Sequence, residues 1–303
     1  MHYVGTVDWS FVDRPLPAGQ NMRGLARAVI VGPAQGAVHT ELAVGAIEPG
    51  GWLNTHVHSF EEALYVLEGE LLLEIAGQVH RLVAGDYGLM NVGTRHALAN
   101  DGASSVRFLS VSTPQRLAPD AGRRDTFFDS RPFDLAAFAA RAVRPPFGDP
   151  RLRFVGHYAG TPPQAEALRL DDPARGRRPA GMDTALLAYS GISVKMLVDR
   201  GLGADLLTMF TVDYEVGGAA QAHDHPFEET YFFTAGVVEA ELDGKPYTLR
   251  AGDVVFAGVG SVHGFWNDGP ERVRWIETQA PQPPGRHAYR WVASWQKLES
   301  EGS

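Results

Sequence analysis

The chain of 303 residues contains no cysteine. That absence excludes disulfides, thiolate catalysis and thiolate-held metals, so any metal must be bound through nitrogen and oxygen. Lysine is nearly missing too, at Lys195, Lys245 and Lys297 alone, and the formal net charge is −9. A phosphate backbone needs a basic face, so nucleic acid is not an expected partner. No apolar run approaches the ~20 residues that cross a bilayer. The first residues show no basic segment followed by an apolar one. The expectation is a cytoplasmic protein with no membrane partner. With 44% hydrophobic and 21% charged residues, the composition is that of an ordinary globular chain long enough for two domains.

What the chain does hold is a repeat. The run Gly50, His56, His58, Glu62, Gly69 returns as Gly217, His223, His225, Glu229, Gly236, with a constant offset (223 − 56 = 167). The register continues through Gly85-Asp86 and Gly252-Asp253, Gly93 and Gly260, His96 and His263, Asn100 and Asn267. A gapless match of this length indicates duplication of one domain. Short β-branched and aliphatic runs punctuated by glycine, with hairpin signals at Ala76-Gly77 and Asp243-Gly244, predict an all-β protein of two tandem jelly-roll barrels. The expected division is 1–117 for the first barrel with an N-terminal extension, 118–184 for a connector, and 185–303 for the second barrel with a tail. The connector is rich in proline and arginine, and Pro132–Arg141 predicts a short helix within it.

Alternate side chains on a strand share a face, so His56 and His58 point together, as do His223 and His225. Glu62 and His96 in one copy, and Glu229 and His263 in the other, sit where returning strands would aim them at the same point. Three imidazoles and a carboxylate suit a divalent transition metal (Fe, Mn, Ni, Co or Zn), one per barrel. The same parity places Asn54, Leu64, Val66 and Leu98 in the first cavity and Gln221, Tyr231, Phe233 and Phe265 in the second. The second wall is therefore aromatic, with Tyr231 a candidate catalytic phenol and Gln221, Phe233, Phe265 and Asn54 candidate substrate contacts. Glu61 and Glu228 point away from the ligands, toward surface or interface. His2, His39, His80, His157 and His287 read as ordinary histidines.

The spacing G-x5-H-x-H-x3-E-x6-G, followed by a second glycine-histidine-asparagine block, resembles the signature of the cupin superfamily. The match covers residues 50–100 and 217–267, with Asn91 and Gly258 where the family usually has proline. The resemblance implies a two-domain cupin, with quercetinase-like dioxygenases, oxalate decarboxylases and related lyases or isomerases as models. It implies a small-molecule substrate that chelates the metal, with Glu62 or Glu229 doubling as proton acceptor, and a possible homo-oligomer. The leading expectation is an Fe(II) or Mn(II) oxidoreductase of dioxygenase type with chemistry in the second barrel. A non-redox enzyme such as a decarboxylase, isomerase or ureidoglycine aminohydrolase is the alternative, although the latter have a different ligand pattern. A non-enzymatic ligand-binding cupin is the third reading.

Overall fold

A computed structural model describes residues 1–117, 124–147, 149, 152–158, 160, 190–283 and 290–291. Most of the expected connector, and His287, lie outside these residues. In chain order the first half holds strands β1 (His2–Thr6), β2 (Met22–Val31), β3 (Glu41–His58), β4 (Glu61–Glu68), β5 (Glu70–Ile75), β6 (Gln78–Val83), β7 (Asp86–Met90), β8 (His96–Ala99) and β9 (Val106–Thr113). Next come β10 (Thr126–Phe128), helix α1 (Leu135–Ala139) and β11 (Val155–His157). The second half holds β12 (Ser190–Val198), β13 (Thr208–Asp224), β14 (Glu228–Ala235), β15 (Val237–Leu242), β16 (Lys245–Arg250), β17 (Asp253–Ala257), β18 (His263–Trp266), β19 (Val273–Ala280) and β20 (Arg290–Trp291).

Each half is a curled antiparallel sheet with one order: β7-β4-β9-β3-β8-β5-β6 in the first and β17-β14-β19-β13-β18-β15-β16 in the second. The hairpin signals form tight turns. Ala76 and Gly77 have φ of 51° and 85°, and Asp243 and Gly244 have 49° and 77°, which suits the right-handed twist of the strands they join. Gly69 and Gly236 answer to a different need. Their φ values are 81° and 76°, and a Cβ there would lie 2.8 Å from the Ser105 carbonyl oxygen and 2.5 Å from that of Arg272. Only glycine fits such a crossing.

The first strand of each copy is exchanged. β1 pairs with β17 of the second sheet, and β11 pairs with β7 of the first. The registers correspond, with Thr6 opposite Asp253 and His157 opposite Asp86. A boundary at residue 117 therefore does not follow the sheets, because residues 2–6 complete the distant barrel and part of the connector completes the near one. His157 Nδ1 reaches Asp86 at 2.6 Å, and Thr6 Oγ1 donates to Asp253 at 2.6 Å, so each exchanged strand is anchored by a buried aspartate. The helix is shorter than its predicted run. Asp134 caps it by accepting from the Ala137 N–H at 3.0 Å, and Phe138 buries against Leu72, Val79 and Ala97 on the outside of the first barrel.

Three apolar layers result. One fills the first barrel (Leu64, Val66, Leu73, Leu98, Phe108) and one the second (Tyr231, Phe233, Phe265, Trp275). A third lies between the sheets, where Leu42, Leu89 and Val111 pack with Met209, Phe232, Phe256 and Ile276. Glu61 and Glu228 sit at this junction and are 0% and 2% exposed. Glu228 accepts from the backbone N–H groups of Val38, His39 and Thr40 at 2.6, 2.9 and 3.0 Å. Glu61 accepts from Asp205, Leu206 and Leu207 at 2.8, 3.0 and 3.0 Å. The halves thus clasp each other reciprocally, each with a carboxylate held in a loop of its partner.

Candidate metal centres

Every candidate ligand comes from the open end of a barrel. β3 delivers His56 and His58, β4 delivers Glu62 and β8 delivers His96; β13, β14 and β18 repeat this for His223, His225, Glu229 and His263. Pairing fixes the approach, since His56 is the direct partner of His96 and His223 of His263. The ligand atoms of His58, Glu62 and His96 lie within 4.8 Å of one another, as do those of His223, His225 and His263. The His56 ring is 4.0 Å from that of His96. Glu229 Oε2 lies 2.7 Å from His225 Nε2 and 3.3 Å from His263 Nε2. Both sets of four residues therefore converge.

The imidazoles are also oriented. Nδ1 faces a backbone carbonyl in all six: Asn54 for His56, Phe60 for His58, Thr94 for His96, Gln221 for His223, Phe227 for His225 and Ser261 for His263. A carbonyl only accepts, so Nδ1 carries the hydrogen and the Nε2 lone pair points inward. His58 Nε2 and His96 Nε2 are buried with no hydrogen-bond partner. His58 Nε2 faces Glu62 Oε2 at 3.2 Å, an arrangement that calls for a proton or a metal cation between them. The donor set, its orientation and its unpaired atoms fit a divalent transition metal.

The electrostatics agree. Burial, then the neighbouring His263, pushes His223 down to about 3. Burial and His58 push His96 down to about 4, and burial and His96 hold His56 well below its ordinary value. These rings are neutral at pH 7 and ready to ligate. Burial alone would raise Glu229, but the neighbouring His225 and His263 hold it well below the carboxylate range. For Glu62 burial is likewise outweighed, by the neighbouring His58 and by the charge of Arg116. His225 is raised, because Glu229 outweighs the burial that would lower it.

The walls differ. In the second barrel the Tyr231 hydroxyl donates to Glu229 Oε2 and lies 3.0 Å from His263 Nε2, while Gln279 Nε2 donates to Glu229 Oε1 at 2.7 Å. Phe265 packs 5.1 Å from Tyr231, and Phe233 lies below, 5.3 Å from Trp275. Glu277 is the residue the sequence reading missed. It is opposite Tyr231 in the pairing of β14 with β19, accepts from Trp275 Nε1 at 2.9 Å, and is raised well above its ordinary value by burial and by Glu229. It is a buried carboxyl beside a ligand, with burial and Glu229 both favouring its protonated form. Its isolated position in β19 gave no motif signal. In the first barrel the corresponding place belongs to Ser110, which donates to Glu62 Oε1.

Asn54 and Gln221 do not line the cavities. One extra residue bulges each strand, between Leu53 and His56 and between Ala220 and His223, so the parity count fails beyond the bulge. Leu53 opposite Leu98, and Ala220 opposite Phe265, take the inward places. Asn54 Nδ2 instead donates to the Arg131 carbonyl at 2.9 Å and lines a surface cavity of about 330 Å³ beside α1. Gln221 is exposed. Phe128 of β10, also missed, packs 5.1 Å from the His56 ring. Among the other histidines, His2 and His157 bond to Asp243 and Asp86. Among the described residues, no helix is long and apolar enough to cross a membrane.

Comparison with known proteins adds the family. The cupin domain model matches residues 43–112 and 210–278. A stretch of 57 residues is 44% identical to the HTH-type transcriptional regulator PuuR of Escherichia coli K12, covering 19% of this chain and 31% of that protein. The chain thus spans about a third of that relative's length. Over 134 residues it is 29% identical to the polyketide synthase protein CurC of Streptomyces cyaneus, covering 44% of this chain and 84% of CurC. Among solved structures, salicylate 1,2-dioxygenase from Pseudaminobacter salicylatoxidans superposes with a TM-score of 0.63 at 15% identity, over 92% of this chain and 84% of that one. Such identity speaks for the fold alone. With two cupin-domain matches on the two barrels and a His/Glu cluster in each, the chain belongs to the cupin superfamily and is a bicupin.

Proposed function

We propose that the protein is a divalent-metal-dependent oxidoreductase of dioxygenase type, holding Fe(II) or Mn(II) in each barrel and turning over in the second. Its substrate is a small organic molecule that chelates through adjacent oxygens. The observation that carries this reading is the pair of proton-holding groups, Tyr231 and Glu277, built against Glu229 in the second barrel alone. When bound, the metal supplies a Lewis acid for a coordinated enol or hydroxyl and a redox partner for dioxygen. The protein does the rest. Gln279 fixes one oxygen of Glu229, which leaves the other facing His225, His263 and the Tyr231 hydroxyl. Tyr231 keeps a proton at its hydroxyl oxygen, where a substrate oxygen would meet it. Glu277 holds a second proton in reserve. Phe265 offers an apolar face to a planar substrate, and Phe233 and Trp275 keep water from below.

The buried Glu277 beside Glu229 also favours a second reading, metal-assisted proton transfer as in a decarboxylase or isomerase. Oxygen uptake separates the two. Fe(II)- or Mn(II)-loaded protein is to be offered catechols, flavonols and β-diketones in an oxygen electrode. Uptake stoichiometric with substrate loss supports the first reading, and turnover undiminished under nitrogen establishes the second.

A further inference from the structure

The two centres share their ligands and differ in what stands beside them. Glu41 of β3, Ser112 of β9 and Glu62 of β4 are direct cross-strand partners, so their side chains share the face of the ligand Glu62. Arg27 reaches this row from β2, and its Nη2 donates to Glu41 Oε1 at 2.5 Å. Arg27 Nε is buried with no hydrogen-bond partner, and so is Ser112 Oγ. Arg116, three residues beyond β9, lays its guanidinium 4.9 Å over the Phe60 ring, and Phe60 stacks at 3.9 Å on the ligand His58. Arg116 has no ion-pair partner among the described residues.

The second barrel closes the same row. Thr208 Oγ1 donates to Gln279 Oε1 at 3.1 Å, and Gln279 Nε2 donates to Glu229 at 2.7 Å. At the positions 167 beyond Arg27 and Arg116 stand Val194 and Pro283. The first barrel alone thus brings two guanidinium groups, a free hydroxyl and a free N–H to the rim of its ligand set.

We infer that the first barrel carries an anion subsite beside its metal centre, in which Arg116, Arg27 Nε and the Ser112 hydroxyl take the carboxylate of a small organic acid. A guanidinium matches a planar two-oxygen anion, and none of the three donors has an acceptor among the described residues. Glu41 already pairs with Arg27, and Glu62 carries its own negative charge, so a singly charged carboxylate is accommodated better than a phosphate dianion. Burial first and the charge of Arg116 second disfavour the Arg27 guanidinium, and a bound anion would offset both. Beneath the ligand set the barrel is filled by Leu64, Val66 and Leu98, so a short apolar tail meets aliphatic side chains there.

The test is ligand-observed NMR on the intact, metal-free chain, with butyrate as probe and butyramide as its neutral isostere. Saturable butyrate binding is expected, with at least a tenfold weaker Kd in Arg116→Ala and a smaller loss in Arg116→Lys. The Arg116 side chain is partly exposed and in no ion pair among the described residues, so its removal is expected to spare the fold, which circular dichroism of the variant checks. Glu239→Ala, on the surface of the other barrel, is expected to bind butyrate as the wild type does. Equal affinity in Arg116→Ala, equal binding of butyramide, tighter competition by inorganic phosphate than by acetate, or no saturable butyrate binding would each overturn the assignment. The titration needs neither metal nor turnover, so its failure and that of the proposed reaction are separate results.

Discussion

Replacing Glu228 by alanine should loosen the junction between the barrels by a predictable amount. The carboxylate accepts three backbone N–H bonds from Val38, His39 and Thr40, and its side chain lies 2% exposed. A hydrogen bond to a charged group contributes about 1.5–3 kcal/mol. The three are not additive here, because Val38 is 70% exposed and water can reach its N–H once the carboxylate is gone. The Thr40 N–H is buried and has no such recourse. A net loss of about 3 kcal/mol follows, equivalent to a fall in Tm of roughly 5–10 °C for a chain of this size. Glu228→Gln keeps one acceptor and should fall between alanine and wild type. The assay is urea unfolding followed by circular dichroism, with the slope compared as well as the midpoint. A surface change such as Glu239→Ala serves as the reference and should stay within about 0.5 kcal/mol. Glu228→Ala within that same margin, or Glu228→Gln no better than alanine, would refute the claim that the clasp holds the halves together.

Other outcomes follow from the same geometry. His56→Ala and His223→Ala should each remove one metal of two per chain, read by elemental analysis; loss of both metals from either variant would show that the centres are not independent. Tyr231→Phe should keep its metal but lower kcat by about 10²-fold, the range of a lost proton-transfer group, and shift the pH profile; an unchanged profile would place the phenol outside the chemistry. Metal-free protein should lose stability as the pH falls below 6.5. His96 and His223 are held down to about 4 and about 3, so the unfolded chain takes up protons that the folded chain refuses. By pH 5 each such imidazole costs roughly 2 kcal/mol, offset in part by His225 and Glu277, whose raised values favour the folded state on the acid side. A denaturation midpoint independent of pH between 7 and 5 would contradict this. Gly236→Ala should cost about 2 kcal/mol or more, since φ is 76° and the new Cβ would meet the Arg272 carbonyl oxygen at 2.5 Å; unfolding at the wild-type midpoint would refute it.

The repeat made the fold and the eight convergent side chains legible, because a strict offset and alternate-residue spacing are properties of sequence. Parity reached as far as the strands stayed regular. It placed Tyr231, Phe233 and Phe265 on the inner wall and lost Asn54 and Gln221 at the bulges, which leave no mark in residue type. Glu61 and Glu228 read as outward-facing, but their burial depended on the second sheet lying against the first. Glu277 was hidden for another reason. Its acidity comes from Glu229 and from enclosure, neither of which a lone glutamate in a strand announces. Arg27 and Arg116 stand about ninety residues apart and meet only because β2 and the end of β9 flank the same strand, β3. The exchange of β1 and β11 was likewise beyond reach, since either strand could pair locally.

That exchange has a bearing on how the two pockets came to differ. In a symmetric pair of separate chains, every amino-acid change is written twice, so an arginine gained at one rim is gained at both. Here the pairing is fixed within one polypeptide, and β1 and β11 make each barrel structurally indebted to the other half. Neither copy can be discarded, yet each can be edited alone. The joined chain keeps the obligations of a dimer while releasing its sites from identity, which is the condition under which one rim could acquire guanidinium groups and the other a phenol and an acid.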